Sequence, residues 1–584
     1  MTDRGATPET ILSLFAVQEE TFDARNSATA AHRVAKMSRG RNRDVQRDRR
    51  VIALADACRC RIREFDAQAL ANTAWAFATA RIEAPQLFAA IAGAASSRLG
   101  EFEPQGLANT AWAFATARIE APQLFAAIAG TASSRLGEFN PQNLANAAWA
   151  FATARTEAPE FFAVIASAAS SRLGEFEPHG LANTVWAFAT ARIDAPELFA
   201  AIAGAASSRL GEFNPQNLAN TAWAFATVGI EVPEFFAAIA GTASSRLGEF
   251  NPQQLAYTAW AFATAGVEAP QLFAAIASAA SSRLGEFKPQ ELANAAWAFA
   301  TARIEVPEFF AAIAGTASSR LGEFNPQDLA NTAWAFATVG IEAPELFDAI
   351  AGAASSRLGE FNPQQLANTA WAFATAGIEA PQLFAAITET VPSRLGEFKP
   401  QELANTARAF ATAGMEAPEL YDALFDAMAL AAWLRLGEFN PQWLSITARA
   451  FACVDWIKDP EFFTELAYFA VSDLDALDDR GLSQLHLASL HFGLEWPNRS
   501  SPLTQDRLQR DVATALDRVG RMHVFEHVTE EGLSLDVAQP DTKRAVEVDG
   551  PHHYLKRTGV ENGSTRFKSR LLLRRLGWDP HFDI

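Results

Sequence analysis

A unit of 37 residues recurs along most of this chain, and self-similarity at that period leaves little open besides stacked helical repeats. The copy at 210–246 reads LGEFNPQNLANTAWAFATVGIEVPEFFAAIAGTASSR. Its Trp223 has counterparts at Trp75, Trp112, Trp149, Trp186, Trp260, Trp297, Trp334 and Trp371. Each copy carries two helix starts. Asn214-Pro215 is an N-cap followed by proline at the first helical position, where a missing N–H costs nothing, and Pro233 repeats the device. Gly248 is expected to close the second helix in the left-handed conformation, with Arg246 in the last turn facing the negative end of the helix dipole. Each unit is therefore a helical hairpin.

In the first helix Leu218, Ala222, Phe225 and Ala226 fall on one face, with Ala219 and Trp223 beside them. Phe235, Phe236, Ile239, Ala240 and Ala243 line the second helix. A buried Leu, Ile or Phe contributes roughly 1.5–3 kcal/mol, yet a lone hairpin has no second layer to bury it. The hairpins must stack, which predicts a mostly α chain, a right-handed α-solenoid of eleven repeats from Phe65 to Phe439. In the tenth and eleventh repeats arginine replaces the tryptophan, at Arg408 and Arg449. The second helix between them is longer by about one turn and carries Trp433, which is expected to fill the space at Arg408.

Gln216, Asn217, Asn220 and Thr221 occupy the face opposite the apolar stripe, and neutral amides of this kind read base edges. The residue before the repeat leucine changes from copy to copy (Asn143, Asn217, Gln254, Glu291, Asp328, Gln365), while the asparagine three residues later is nearly constant (Asn146, Asn220, Asn331, Asn368). That pattern suits a reader of one base per repeat; it equally suits an exposed position drifting after tandem duplication. Arg408 and Arg449 join these as candidate RNA contacts. Helical hairpins also bind peptides, so a protein-binding scaffold is the competing reading.

The net charge of −19 disfavours a polyanionic partner unless the charge is segregated. It is: eleven Lys or Arg lie between Arg33 and Arg63, a basic collar or a solvated loop. Ahead of it, helices starting at Thr7-Pro8 and running over 26–37 read as a degenerate cap. Cys58, Cys60 and Cys453 form neither a disulfide framework nor a zinc site, which points to a reducing compartment. No apolar run is long enough for a membrane span, and the acidic first twenty residues make no convincing transit peptide.

After a worn twelfth first helix within 474–494, the composition shifts. A helix is expected over 501–520, strands over 522–528 and 533–539 joined at Glu530-Glu531-Gly532, a third strand over 545–549, and a basic helix over 565–576. The organisation expected is 1–63 cap, 64–456 array, 457–500 degenerate repeat and 501–584 small α/β domain.

LSLDVAQPDTKRAVEVDGPHHYLK and the later TRFKSRLLLRRLGW resemble the RAP domain of organellar RNA-processing proteins that include the FAST-kinase-like family. NSATAAHRVAK at 26–36 looks like the helix that often opens such proteins, and the repeats are similar to the heptatricopeptide and octotricopeptide arrays found in front of RAP domains. The resemblance implies a sequence-selective binder of single-stranded RNA, an organellar mRNA or rRNA. It implies action in processing, stability or translation in the mitochondrial matrix or a plastid, alongside ribonucleoprotein or ribosome-assembly partners and without a membrane. Arg566, Lys568 and Arg570 on the basic helix, with His552 and His553, are the expected phosphate contacts there. The RAP domain is also similar in pattern to the PD-(D/E)xK (restriction-endonuclease-like) fold. Asp536, Glu547 and Asp549 would then converge, with Asp536 and Glu547 as Mg²⁺ ligands of an endoribonuclease. In that pattern Asp549 would be a lysine, so the expectation is binding with no cofactor, Mg²⁺ entering only if the domain cuts.

Overall fold

The start signals act as read. In the fifth repeat the Asn214 side chain accepts the N–H of Asn217 at 2.9 Å, and the first helix runs Pro215–Val228. The computed structural model describes residues 7–18, 21–38, 48–414, 418–471, 476–494, 524–531, 533–546 and 563–579. The helix closes on Gly229, at φ 73°, whose N–H returns to Phe225 and Ala226 carbonyls. The second helix follows as Pro233–Ser244, and a single 3-10 turn, Leu247–Glu249, leads to the next repeat. Gly248 therefore sits inside the 3-10 turn, and the left-handed closure belongs to the first helix instead. Arg246 also does something other than face a dipole. Its Nη1 donates to the Phe213 carbonyl at 2.8 Å, tying the end of the hairpin to its beginning, while Nη2 pairs with Glu249 at 2.8 Å. The same staple recurs at Arg98, Arg135, Arg172, Arg209, Arg320, Arg357 and Arg435.

The chain divides into two compact units, 1–280 and 281–584. Within each, first helices of successive repeats lie side by side in a closely packed row, and second helices form a looser outer row. Alanine at Ala219, Ala222, Ala224 and Ala226, all buried, lets the first helices approach. Phe225 locks three helices together, meeting Phe199 of the preceding repeat edge-on at 5.0 Å and Phe235 of its own second helix at 5.0 Å. Thr221 is also buried. Because a first helix has a neighbour on each side and its own partner behind, only a narrow strip remains outside. Trp223 lies on that strip, half-buried, and not in the core stripe where the sequence pattern put it.

The N-terminal cap is a complete repeat in disguise. Ala24–Ser38 packs against the first helix of repeat one and sets His32 5.2 Å from Trp75. Arg49–Cys60 and the 3-10 turn Ile62–Glu64 then play the second helix and linker, so part of the expected basic collar is helix. Within it Arg50 is held between Glu9 and Asp48, each at 2.6 Å, and is committed to the fold. At the other end Asp479–Phe492 forms the expected twelfth first helix against repeat eleven. The long second helix is Pro418–Trp433, but Trp433 packs on Phe462 of the following second helix, 6.1 Å away, and does not fill the space at Arg408.

In the C-terminal domain β1 (Val524–Val528), β2 (Ser534–Gln539) and β3 (Arg544–Val546) form an antiparallel sheet in the order β1-β2-β3. Leu533, Leu535, Ala538, Ala545, Leu572 and Trp578 make its core. The basic helix is Gly563–Leu571, widened to a π-turn over Leu572–Leu576. After Trp578, Asp579 pairs with the start of β3, its N–H donating to the Lys543 carbonyl at 2.8 Å. The helix expected over 501–520, and Glu547, Asp549, His552 and His553, lie outside the described residues.

Two pairs of substitutions check this packing by urea denaturation. Phe225→Ala, in the shared core, should cost about 3–5 kcal/mol, and Trp223→Ala, on the strip, a smaller about 1–3 kcal/mol. Equal losses would put the tryptophan back in the core. Arg246→Gln should cost about 1–3 kcal/mol through the Phe213 carbonyl, and Glu249→Gln, at an exposed ion pair, almost nothing.

Candidate nucleic-acid interface

The exposed strip of a first helix carries Gln216, Asn220, Trp223 and Thr227, residues spaced four, three and four apart and hence in line. Side by side, the strips join. Trp112, Trp149, Trp186, Trp223 and Trp260 form a ladder of indoles with centroids 6.2–6.4 Å apart, and Trp297, Trp334 and Trp371 form a second one at 6.2 Å. The rungs lean on one another, so no base slips between them. Their outer edges and the row of asparagines beside them make a continuous surface of amides and aromatic edges. Gln216 Nε2 donates to Asn220 Oδ1 at 2.7 Å, and Gln254 Nε2 to Gln216 Oε1 at 3.2 Å, which orients the amides along and across repeats.

The variable position before the repeat leucine is buried in repeats three to eight, while Gln365 and Glu402 remain half-exposed. Asn143, Asn217, Gln254, Glu291 and Asp328 are only 4–9% exposed. Each is the third residue of its helix and works with the residue that starts it. Gln254 and Asn251 cap one another reciprocally, as do Asp328 with Asn325 and Gln365 with Asn362. Where the starting residue is lysine, whose side chain cannot accept, the partner is glutamate: Glu291 takes the Lys288 N–H at 2.9 Å, and Glu402 the Lys399 N–H at 2.7 Å. Where it is glutamate, at Glu103 and Glu177, the partner is Gly106 or Gly180. The residue at this position takes part in the cap, and burial of Asn143, Asn217, Gln254, Glu291 and Asp328 argues against a base contact in those five repeats. Asn146, Asn220, Asn331 and Asn368 keep the half-exposed place expected of them.

Arg408 and Arg449 serve a different purpose. The helix Gly563–Leu571 packs across the first helices of repeats ten and eleven, where tryptophan would stand. The Arg449 guanidinium lies 4.1 Å above the Phe567 ring. Arg570 Nη2 donates to the carbonyls of Ala452 and Cys453 at 3.2 and 2.8 Å, capping the C-terminal end of that first helix. Arg449 and Arg570 thus bind the domain to the array and are not free for phosphate. Burial works against the charge of Arg408 as well. Arg566 and Lys568 are half-exposed. Asp536 lies on β2, and the described residues hold no group of three metal-ligating side chains.

A family model described as RNA-editing substrate-binding complex 6 protein matches residues 21–263 and 261–435, well over half of the sequence. The chain belongs to this family. A RAP-domain model matches residues 546–579, the span that begins at the end of β3 and includes the docked helix. The two matches put the function of this RNA-editing substrate-binding complex 6 family member with RNA. No curated protein matches the sequence. A homology model of the full-length AP-3 complex in an intermediate open conformation aligns over 84% of this chain and 83% of its own at 9% identity. Its TM-score of 0.27 is too slight to bear on fold or function. No helix among the described residues is long and apolar enough to cross a membrane.

In this family member the RAP-domain contact carries a buried histidine. His491 Nε2 stands 3.1 Å from Asp455 Oδ1, out of line for a hydrogen bond, and its ring lies 5.4 Å from that of Phe567. Burial, with Arg570, Arg575 and Arg449 nearby, depresses its pKa from 6.5 to about 4 against the opposing pull of Asp455. A depressed histidine stabilises the fold fully above the unfolded pKa, and that stability is lost as pH falls from about 6.5 towards 4. Hydrogen exchange over 563–579 should therefore quicken across that window, and His491→Asn should flatten the dependence.

One set of exposed residues escaped the sequence reading. Repeats one to four and seven close their first helices with Arg81, Arg118, Arg155, Arg192 and Arg303, where repeat eleven has Asp455 and the other five have glycine. The change from ATAR to ATAG or ATVG was the available signal.

Proposed function

We propose that this protein binds single-stranded RNA along the strip of asparagines and tryptophan edges on its first helices, one nucleotide to a repeat, within an RNA-editing or related ribonucleoprotein assembly in an organelle. The observation that carries the reading is the strip itself: it passes from repeat to repeat and is made of amides that hydrogen-bond with base edges and indole edges against which bases can pack. The family's description as a substrate-binding component of RNA editing, together with the RAP domain, supports the same partner.

The form of selectivity follows from the burial of the variable position. With Asn143, Asn217, Gln254, Glu291 and Asp328 buried, what faces the ligand is nearly the same from repeat three to repeat eight. Identical readers prefer identical bases, so the favoured RNA is a tract dominated by one base. The domain acts as a binding module and needs no metal in this reading; Mg²⁺ cleavage through Asp536 and Glu547 is the contrary outcome, and a protein-binding scaffold the other.

Selection from randomised RNA should return a low-complexity tract. Asn217→Asp should leave that tract unchanged, and Asn146→Ala, Asn183→Ala and Asn220→Ala together should weaken binding by about 0.5–1.5 kcal/mol per asparagine. A motif with a different base at each step, or no enrichment, removes this reading. Mg²⁺-dependent products lost in Glu547→Ala would move the protein to the nucleases.

A further inference from the structure

Left-handed backbone is costly for any residue with a Cβ, and glycine is the residue that tolerates it. Repeats five, six, eight, nine and ten use glycine to close the first helix, at Gly229, Gly266, Gly340, Gly377 and Gly414. Arg81, Arg118, Arg155 and Arg192 close the first four repeats at φ 53–55° instead. They are exposed. None makes a side-chain hydrogen bond or ion pair among the described residues, whereas the arginines that end the second helices all do. Backbone hydrogen bonds close these helix ends, but the four arginine side chains, in successive repeats, sit where glycine would be less strained and find no polar partner among the described residues.

A second observation falls on the same repeats. Two residues before each arginine is a threonine, and the shielded side-chain oxygens of Thr79, Thr116, Thr153 and Thr190 have no hydrogen-bond partner; nor has that of Thr301, two before Arg303. In repeat five, which closes with Gly229, the Thr227 hydroxyl donates to the Trp223 carbonyl at 2.7 Å and needs nothing more. Thr73, Thr221 and Thr258 on first helices are unpaired as well, so what sets Thr79, Thr116, Thr153 and Thr190 apart is their place two residues before an exposed left-handed arginine. Thr116 and Thr153 line one open groove of about 1430 Å³ between repeats two and three, together with Arg118, Arg155 and Trp149 of the ladder. Glu120, Glu157 and Glu160 line it too. The acid two residues past the closing position is present in repeats with arginine and with glycine alike (Glu120, Glu231), so only repeats one to four offer an unbroken run in which each acid has a cation beside it.

We propose that Arg81, Arg118, Arg155 and Arg192, each with its threonine, form a track of phosphodiester contacts that holds the RNA backbone at the turn edge of repeats one to four while bases reach the tryptophan strip. This rests on the RNA-binding reading above and deepens it, giving the array an unbroken grip over repeats one to four that recurs later at repeat seven, through Arg303 and Thr301. A guanidinium takes two phosphate oxygens at once, and the threonine hydroxyl, shielded in the free chain, adds a third bond once the side chains around it move aside for the phosphate, which suits a contact that must work against a net negative protein.

The test uses the full chain with Arg81, Arg118, Arg155 and Arg192 all changed to glycine, the residue native to this place in five other repeats, so that the fold is relieved and not broken. Its thermal midpoint should equal or exceed that of the parent. Anisotropy of a labelled 20-nucleotide single-stranded RNA across a salt series should show affinity at least tenfold weaker, and a log–log salt slope shallower by about 0.7 per lost contact. Gly229→Arg with Gly266→Arg should steepen the slope by a similar step. A folded glycine variant with unchanged affinity and slope overturns the track and leaves RNA binding standing; a parent chain that binds no RNA at any salt sinks both.

Discussion

Everything in the array depends on one constraint: a helical hairpin rich in phenylalanine and alanine cannot bury its own apolar surface. Phe225 satisfies that constraint by touching the repeat before it and the helix after it, as do Phe151 and Phe410 in their repeats. Alanine on both flanks of the first helix sets how closely the rows approach, and the arginine staple to the opening carbonyl keeps each hairpin shut. What is left outside is whatever this burial does not consume. The amide and tryptophan strip is therefore a by-product of packing geometry as much as a selected surface.

The capping pairs show the same economy at the helix starts. Lysine at the N-cap demands an acceptor three residues on, and finds Glu291 or Glu402; asparagine supplies its own acceptor and accepts a wider choice of partner. Local hydrogen-bond satisfaction thus accounts for diversity that otherwise imitates a recognition code. The closing residue of the first helix is the reverse case. There glycine would satisfy the backbone, and arginine in the first four repeats goes against local preference with no polar side-chain partner among the described residues.

At the other end, exchange of tryptophan for arginine ends the ladder and begins a dock. Arg449 stacks on Phe567, and Arg570 closes the helix that Arg449 stands on. The RAP-domain helix therefore occupies in repeats ten and eleven the strip that RNA is proposed to use elsewhere. Charge in this region is spent on assembly, which is why basic residues counted along the sequence overstate those free to meet phosphate.

The sequence by itself determined the period, the hairpins, their starts at Asn214-Pro215 and Pro233, the terminal capping helices and the strands of the C-terminal domain, because these follow from short-range propensity and from spacing along one chain. It also carried the RAP resemblance in its motif. Which side of a first helix remains exposed was decided only in three dimensions. A single-helix pattern supposes one buried face, but stacking buries three sides, moving Thr221 and Asn217 inward and Trp223 outward. Tertiary contact likewise decided that Arg449 and Arg570 hold a domain while Arg118 and Arg155 stand free, since nothing in an arginine's own neighbourhood along the chain says what will lie across from it.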